Sequence, residues 1–225
     1  MECQVGNVLM VSIGHFNAFT VAKVLHRDLS EKNLMFQVKD GSTKGVVNDW
    51  DMASILNDDG EVPTSTAKHR TGTLPFMARD LLRPNPPPHL YRHDLESFFY
   101  ILVWSTIHYD LKNKVRLPVC KELAPWDGVS FQTAWSAKSA FIATPEAAED
   151  VFANIREGFK DLSEWLVPLR KLFRTAVLSV PEIFDTASKA QYNYDTYGGL
   201  LTFGTFMHAL GRTPRSASNS RVETS

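Results

Sequence analysis

The chain has 225 residues, 44% of them apolar and 22% charged, the make-up of a globular protein long enough to bury one core. Its formal net charge of −1 excludes a general electrostatic attraction to nucleic acid or to an anionic membrane, so neither is expected as a partner. Two cysteines, Cys3 and Cys120, are too few for a disulfide framework and lack metal-ligand spacing with histidine, which suits the reducing cytoplasm or nucleus.

Residues 5–22 carry apolar positions at helical spacing, broken by Asn7, His15 and Asn17, and predict a helix that is neither a secretory signal nor a membrane span. Val24-Leu25 predicts a short strand ahead of a polar loop. Leu34-Met35-Phe36 and Gly45-Val46-Val47 flank the turn Lys39-Asp40-Gly41-Ser42, a small β-hairpin. Residues 57–70 are polar and predict an exposed loop, and Pro84 to Pro88 make a second break. From His93 to Tyr109 apolar residues fall on nearly every side, the pattern of a helix buried all round and the axis of the core.

Thr144-Pro145 predicts an N-cap and a first-turn proline, with Ala148, Val151, Phe152, Ile155 and Phe159 as one inner stripe. Leu162, Trp165, Leu166, Leu169, Leu172, Phe173 and Ala176 continue at helical spacing, and Pro168 is expected to kink or divide that segment. Trp126, Trp135 and Phe141 are read as packing residues rather than a base-stacking platform. The count is one hairpin and six or more helices, with residues 1–211 forming the domain and 212–225 a disordered tail.

The chemistry concentrates upstream. His26-Arg27-Asp28-Leu29-Ser30-Glu31-Lys32-Asn33 places an aspartate five residues before an amide. The first can accept a hydroxyl proton, and the second can offer an oxygen to Mg²⁺ on a phosphate. A chance match to H-R-D-L-x-x-x-N is expected on the order of once in a thousand chains of this size. Asp49-Trp50-Asp51-Met52-Ala53 follows the hairpin at the place of the metal-chelating D-F-G aspartate, so Asn33 and Asp49 are the candidate metal ligands. Asp51 stands where glycine is usual and is expected to tolerate a left-handed angle there. Arg70-Thr71-Gly72-Thr73 opens a segment that ends in Ala78-Arg79-Asp80 and resembles the end of a protein-kinase activation segment, a resemblance that implies Thr73 facing Asp28. Asp80 is one methylene shorter than the usual glutamate, which puts an anchoring ion pair in doubt. Asp94, in His93-Asp94-Leu95-Glu96-Ser97, would hold the backbone of the catalytic loop; the alternative is a carboxylate favoured by the helix dipole.

These motifs, in this order, resemble the fungal-type protein kinases, and Tyr194-Asp195-Thr196-Tyr197-Gly198-Gly199 is similar to that family's C-terminal segment, so the likeness runs from about residue 18 to 209. The resemblance implies a mainly α, protein-kinase-like C-terminal lobe with a small β-hairpin. It also implies ATP and Mg²⁺ as cofactors and a serine/threonine protein substrate. Asp28, Asn33 and Asp49 would be catalytic, and His26, Arg27 and Asp94 would support the loop. Arg27 would meet a phosphate on Thr64, Ser65 or Thr66. No G-x-G-x-x-G precedes His26, and Val21-Ala22-Lys23 lies too close to the loop to supply the phosphate-pairing lysine of an upstream strand. The expectation is therefore a kinase C-lobe without its N-lobe, weak or inactive alone, whose partner is a missing N-lobe or a regulatory protein. A pseudokinase lobe serving as a binding module is the alternative, and a small-molecule phosphotransferase is a third.

Overall fold

The structure, a computed structural model, describes residues 2–39, 42–58, 60, 62–63, 70–128, 130–182 and 184–213. Among these it is mainly helical. Helix α1 (Glu2–Thr20) leads into strand β1 (Val24–Leu25), the hairpin β2 (Leu34–Lys39) and β3 (Ser42–Val47), and β4 (Ser54–Ile55). The long α2 (Tyr91–His108) runs into β5 (Tyr109–Asp110) and β6 (Val115–Arg116). Then come α3 (Phe131–Ala143), α4 (Pro145–Phe152), α5 (Ser163–Leu178), α6 (Thr186–Gln191) and α7 (Phe203–Ala209). No helix among the described residues is long and apolar enough to cross a membrane.

The expected hairpin forms in antiparallel register, Leu34 opposite Val47 and Phe36 opposite Gly45. It is one of three two-stranded ladders rather than the only one. Val24 pairs with Ile55 and Leu25 with Ser54, so β1 and β4 staple the chain before the His26–Asn33 loop to the chain after the Asp49–Ala53 motif. Strands of two residues show no alternation in sequence, which is why this staple was not legible.

Helix α2 is the axis of the core: all its residues except Tyr91 and Ser105 are buried. Its apolar residues on every side require neighbours on every side. Phe99 stacks on Phe173 of α5 at 5.1 Å and on Phe141 of α3 at 5.8 Å, and Tyr100 meets the edge of Trp126 at 4.9 Å. Each such buried aromatic is worth about 1.5–3 kcal/mol in area alone. Trp126 and Phe141 are thus core residues, as the sequence suggests, and Trp135 packs on a smaller cluster of Met77, Ala78, Leu81, Leu82 and Ala134. Phe16 of α1 lies flat on Phe203 of α7, centroids 4.0 Å apart, joining the two ends of the fold.

In the C-terminal half one expectation is corrected and two are met in part. Thr144 takes the N-cap position of α4 with Pro145 in the first turn, as expected, although its hydroxyl donates back to the Ala140 carbonyl at 3.0 Å and makes no side-chain cap bond to the new helix. The stripe from Ala148 to Phe159 is not one helix, because α4 stops at Phe152 and Phe159 belongs to a separate 3₁₀ turn, Glu157–Leu162. Helix α5 continues through Pro168 undivided. The proline removes only the bond to Glu164, whose residue is exposed, so water can serve that carbonyl. Residues 214–225, most of the expected tail, lie outside the described residues.

Candidate active site

The loop after β1 is held by main-chain and imidazole hydrogen bonds. His26 is fully buried, its Nε2 donating to the Asn48 carbonyl at 3.0 Å and its Nδ1 accepting from the Asp28 N–H at 3.3 Å. Burial, the largest influence, lowers its pKa, which favours the neutral ring that this donor and acceptor pair requires. Trp50 presses its edge on that ring at 4.7 Å while its indole N–H donates to the Val47 carbonyl, so the second acidic motif packs onto the first.

Asn33 is buried, and its Nδ2 donates to the Asp28 carbonyl at 2.9 Å, fixing the five-residue span. With that nitrogen engaged, Oδ1 is the amide atom a cation can take. The Asn48 N–H donates to the Asn33 carbonyl at 2.8 Å, so Asn33 and Asp49 meet at one end of the hairpin. Asp49 is exposed and adopts φ of 60°. The left-handed angle that an aspartate at residue 51 could tolerate is not needed there; it sits two residues earlier, at Asp49. Oxygen donors of this kind suit Mg²⁺, which keeps waters and phosphate oxygens for its other positions. Among the described residues no group of three or more His, Cys, Asp or Glu forms a closed metal cage.

Asp94 lies under this loop with no solvent exposure. Its Oδ2 accepts from His15 Nε2 at 2.8 Å and from the Arg27 N–H at 3.4 Å, and its Oδ1 from His89 Nε2 at 2.7 Å. Although burial opposes ionisation, the two histidines hold the carboxyl well below the ordinary aspartate range. The sequence led to the backbone contact; it did not reveal the histidines, which come from α1 and from the proline break. Arg27 has φ of 71°, and its Nη1 donates to Ser54 Oγ on β4 at 2.6 Å. Thr64, Ser65 and Thr66, its expected phosphate carriers, lie outside the described residues.

The second segment meets the loop through two threonines. Thr73 Oγ1 donates to Asp28 Oδ1 at 2.9 Å, and Thr71 Oγ1 to the Arg27 carbonyl at 3.4 Å. Arg70 stays at the edge, donating to the Arg83 carbonyl at 2.6 Å and lying over the Phe131 ring at 4.3 Å. Gly72, at φ of 130°, lets the chain pass beside Met77. Downstream, the doubted anchor of Asp80 is present. Arg92 Nη2 lies 2.9 Å from its Oδ2, and the Tyr197 hydroxyl donates to the same oxygen at 2.5 Å. Arg92 and Tyr197 were missed in the sequence, although the left-handed run Tyr197-Gly198-Gly199 marked a special turn. Glu31, inside the loop motif, is held by Arg116 of β6 at 2.9 Å and by the Tyr109 hydroxyl at 3.2 Å, contacts no motif announces.

The motif residues from His26 to Ser97 fall within residues 8–106, which match the family model for fungal protein kinases, and Tyr194 to Gly199 lie outside it. The match ends near the C-terminus of α2, short of the likeness expected to residue 209. No match was found among the curated proteins.

Proposed function

We propose, from the match of residues 8–106 to fungal protein kinases, that the chain is the C-terminal lobe of a protein kinase and carries the acceptor side of phosphoryl transfer to protein serine or threonine. One observation carries this reading: Asp28 already accepts a hydrogen bond from a threonine hydroxyl at 2.9 Å. That is the ground-state contact a general base or orienting group makes with an alcohol nucleophile. Asp28 orients the acceptor hydroxyl and takes its proton. Asn33 and Asp49 would hold Mg²⁺, which supplies charge neutralisation on the phosphates of ATP when both are bound. Asp94 and His26 fix the main chain on which Asp28 rides. Residues 1–211 would form the lobe, and a nucleotide-clasping lobe would be its partner.

The experiment joins the chain in frame to the nucleotide-binding lobe of a fungal protein kinase and follows phosphate transfer from ATP to protein and peptide hydroxyls. Asp28→Asn should lower kcat by about 10²–10⁴, the usual worth of a positioned base, while leaving the melting temperature of the fusion unchanged. A folded, active fusion indifferent to that substitution refutes the assignment. A folded fusion with no transfer at all favours the pseudokinase alternative.

A further inference from the structure

Lys138, in the middle of α3, is buried to 0% exposure, an expensive place for an ammonium group unless its donors are satisfied. Its Nζ donates to the Leu74 carbonyl at 3.0 Å and to the Met77 carbonyl at 2.7 Å. The faces of Tyr100 and Trp126 lie beneath it, 4.5 and 5.6 Å from the nitrogen to the ring centroids. Such a cage recovers part of the lost hydration through the ring quadrupoles.

The two carbonyls belong to a tight turn. Phe76 and Met77 direct their N–H groups to the Thr73 carbonyl at 2.9 and 3.0 Å, so the turn points its carbonyl end at Lys138. Its other end is Thr73, bonded to Asp28. The same face of α3 carries Ala134, which packs with Met77, Ala78, Leu81 and Leu82. One chain of contacts therefore runs from α3 through the turn to the carboxylate of Asp28.

We propose that Lys138 is a positioning residue for the acceptor side of the site: it latches the turn of residues 73–77 onto α3, and through Thr73 sets where an acceptor hydroxyl meets Asp28. The proposal rests on the kinase reading for its purpose, but the latch is testable without activity. The lysine acts through the turn it holds, and no motif in the sequence points to it, since residue 138 lies beyond the family match.

The test compares the full chain with Lys138→Met, which keeps length and loses the donors. Hydrogen exchange at the Phe76 and Met77 amides should quicken at least tenfold, with the amides of Val103 and Ile107 in α2 unchanged. The carbon-13 resonance of the Asp28 carboxylate should move as the Thr73 bond is released, a signature that a mere space-filler would not give. Unchanged exchange at 76 and 77 with an unmoved Asp28 resonance overturns the latch. Should the variant not fold, the wild-type chain decides: labelling of Lys138 by an amine reagent should proceed at the opening rate of the Phe76 and Met77 amides. Labelling only at the much slower opening rate of α2 makes Lys138 a core filler and overturns the proposal. In a fusion that phosphorylates a peptide, Lys138→Met should raise KM for the peptide several-fold and leave KM for MgATP alone. An inactive fusion would sink the kinase reading while leaving the exchange result standing.

Discussion

A carboxylate at residue 80 reaches its anchor because the anchor comes to it. Arg92 is fixed from two sides, its Nε donating to the Tyr194 carbonyl at 2.9 Å and its guanidinium lying 4.1 Å over the Tyr197 ring, so Nη2 arrives at Asp80 without a longer acid. Burial alone would raise the pKa of Asp80, yet the Arg92 and Arg79 charges and the Tyr197 hydroxyl bring it below the ordinary value. Breaking a buried pair from one side leaves a charge uncompensated and costs about 3–5 kcal/mol. Arg92→Leu should therefore lose roughly that much in urea unfolding. The double substitution Asp80→Asn with Arg92→Leu should lose clearly less than the sum of the two singles, since the groups share one interaction. Additive losses would show that the pair is not what holds the segment.

At the scale of elements, the 70–82 segment is a strap pinned along its length: Thr73 to Asp28, the 74–77 turn to Lys138, the Arg79 N–H to Glu96, and Asp80 to Arg92. Gly72 sets its entry. At φ of 130° an L side chain is strained, and a Cβ there would meet Met77 Cε at 3.0 Å, the flexible tip of a side chain that can yield in part. Gly72→Ala should cost about 1–3 kcal/mol in thermal unfolding, mostly through the backbone angle, and in an active fusion should lower turnover by displacing Thr73. An alanine variant with unchanged melting and turnover would mean that the strap tolerates another entry. The pins also mark what could be read in advance. The contact of Asn33 with Asp28 was legible from its fixed short spacing, that of Thr73 with Asp28 from the resemblance of the 70–80 segment, and α2 from apolar residues that cover the whole cylinder. Arg92, Tyr197, Glu31 and Lys138 were not, since each works on a partner brought close only by tertiary packing. Lys138 was further disguised as a surface residue, the usual fate of a lysine in a helix.

Across the whole molecule, the buried ionisable groups give the stability a dependence on pH whose sign can be worked out. Burial would raise the pKa values of Asp94 and Asp80, but the paired histidines and arginines outweigh it and depress both in the fold, so their contribution is present above the ordinary aspartate range and is lost as the pH falls below about 4. His26 and His93 are lowered by burial, so protons taken up by the unfolded chain below about pH 6.5 already weaken the fold. Lys138 extends this slope to the alkaline side. Burial, opposed in part by the Glu96 charge, brings its pKa down to about 7, with Tyr100 and two carbonyls as its other close polar neighbours. Between pH 7 and the ordinary lysine value the unfolded chain binds a proton that the folded one has released, so stability rises with pH by up to about 1.4 kcal/mol per unit. Against it, Cys120, Tyr91 and the buried Tyr100 have raised pKa values, so the thiol offsets the Lys138 gain above about pH 9 and the tyrosines turn the curve downward above about pH 10. The chain should accordingly gain on the order of 2 kcal/mol between pH 7 and pH 9, measured by urea unfolding at constant ionic strength. Lys138→Met should flatten that limb alone and leave the losses below pH 6.5 in place. A wild-type curve already flat from pH 7 to 9 would mean that the ammonium of Lys138 stays charged in its aromatic cage.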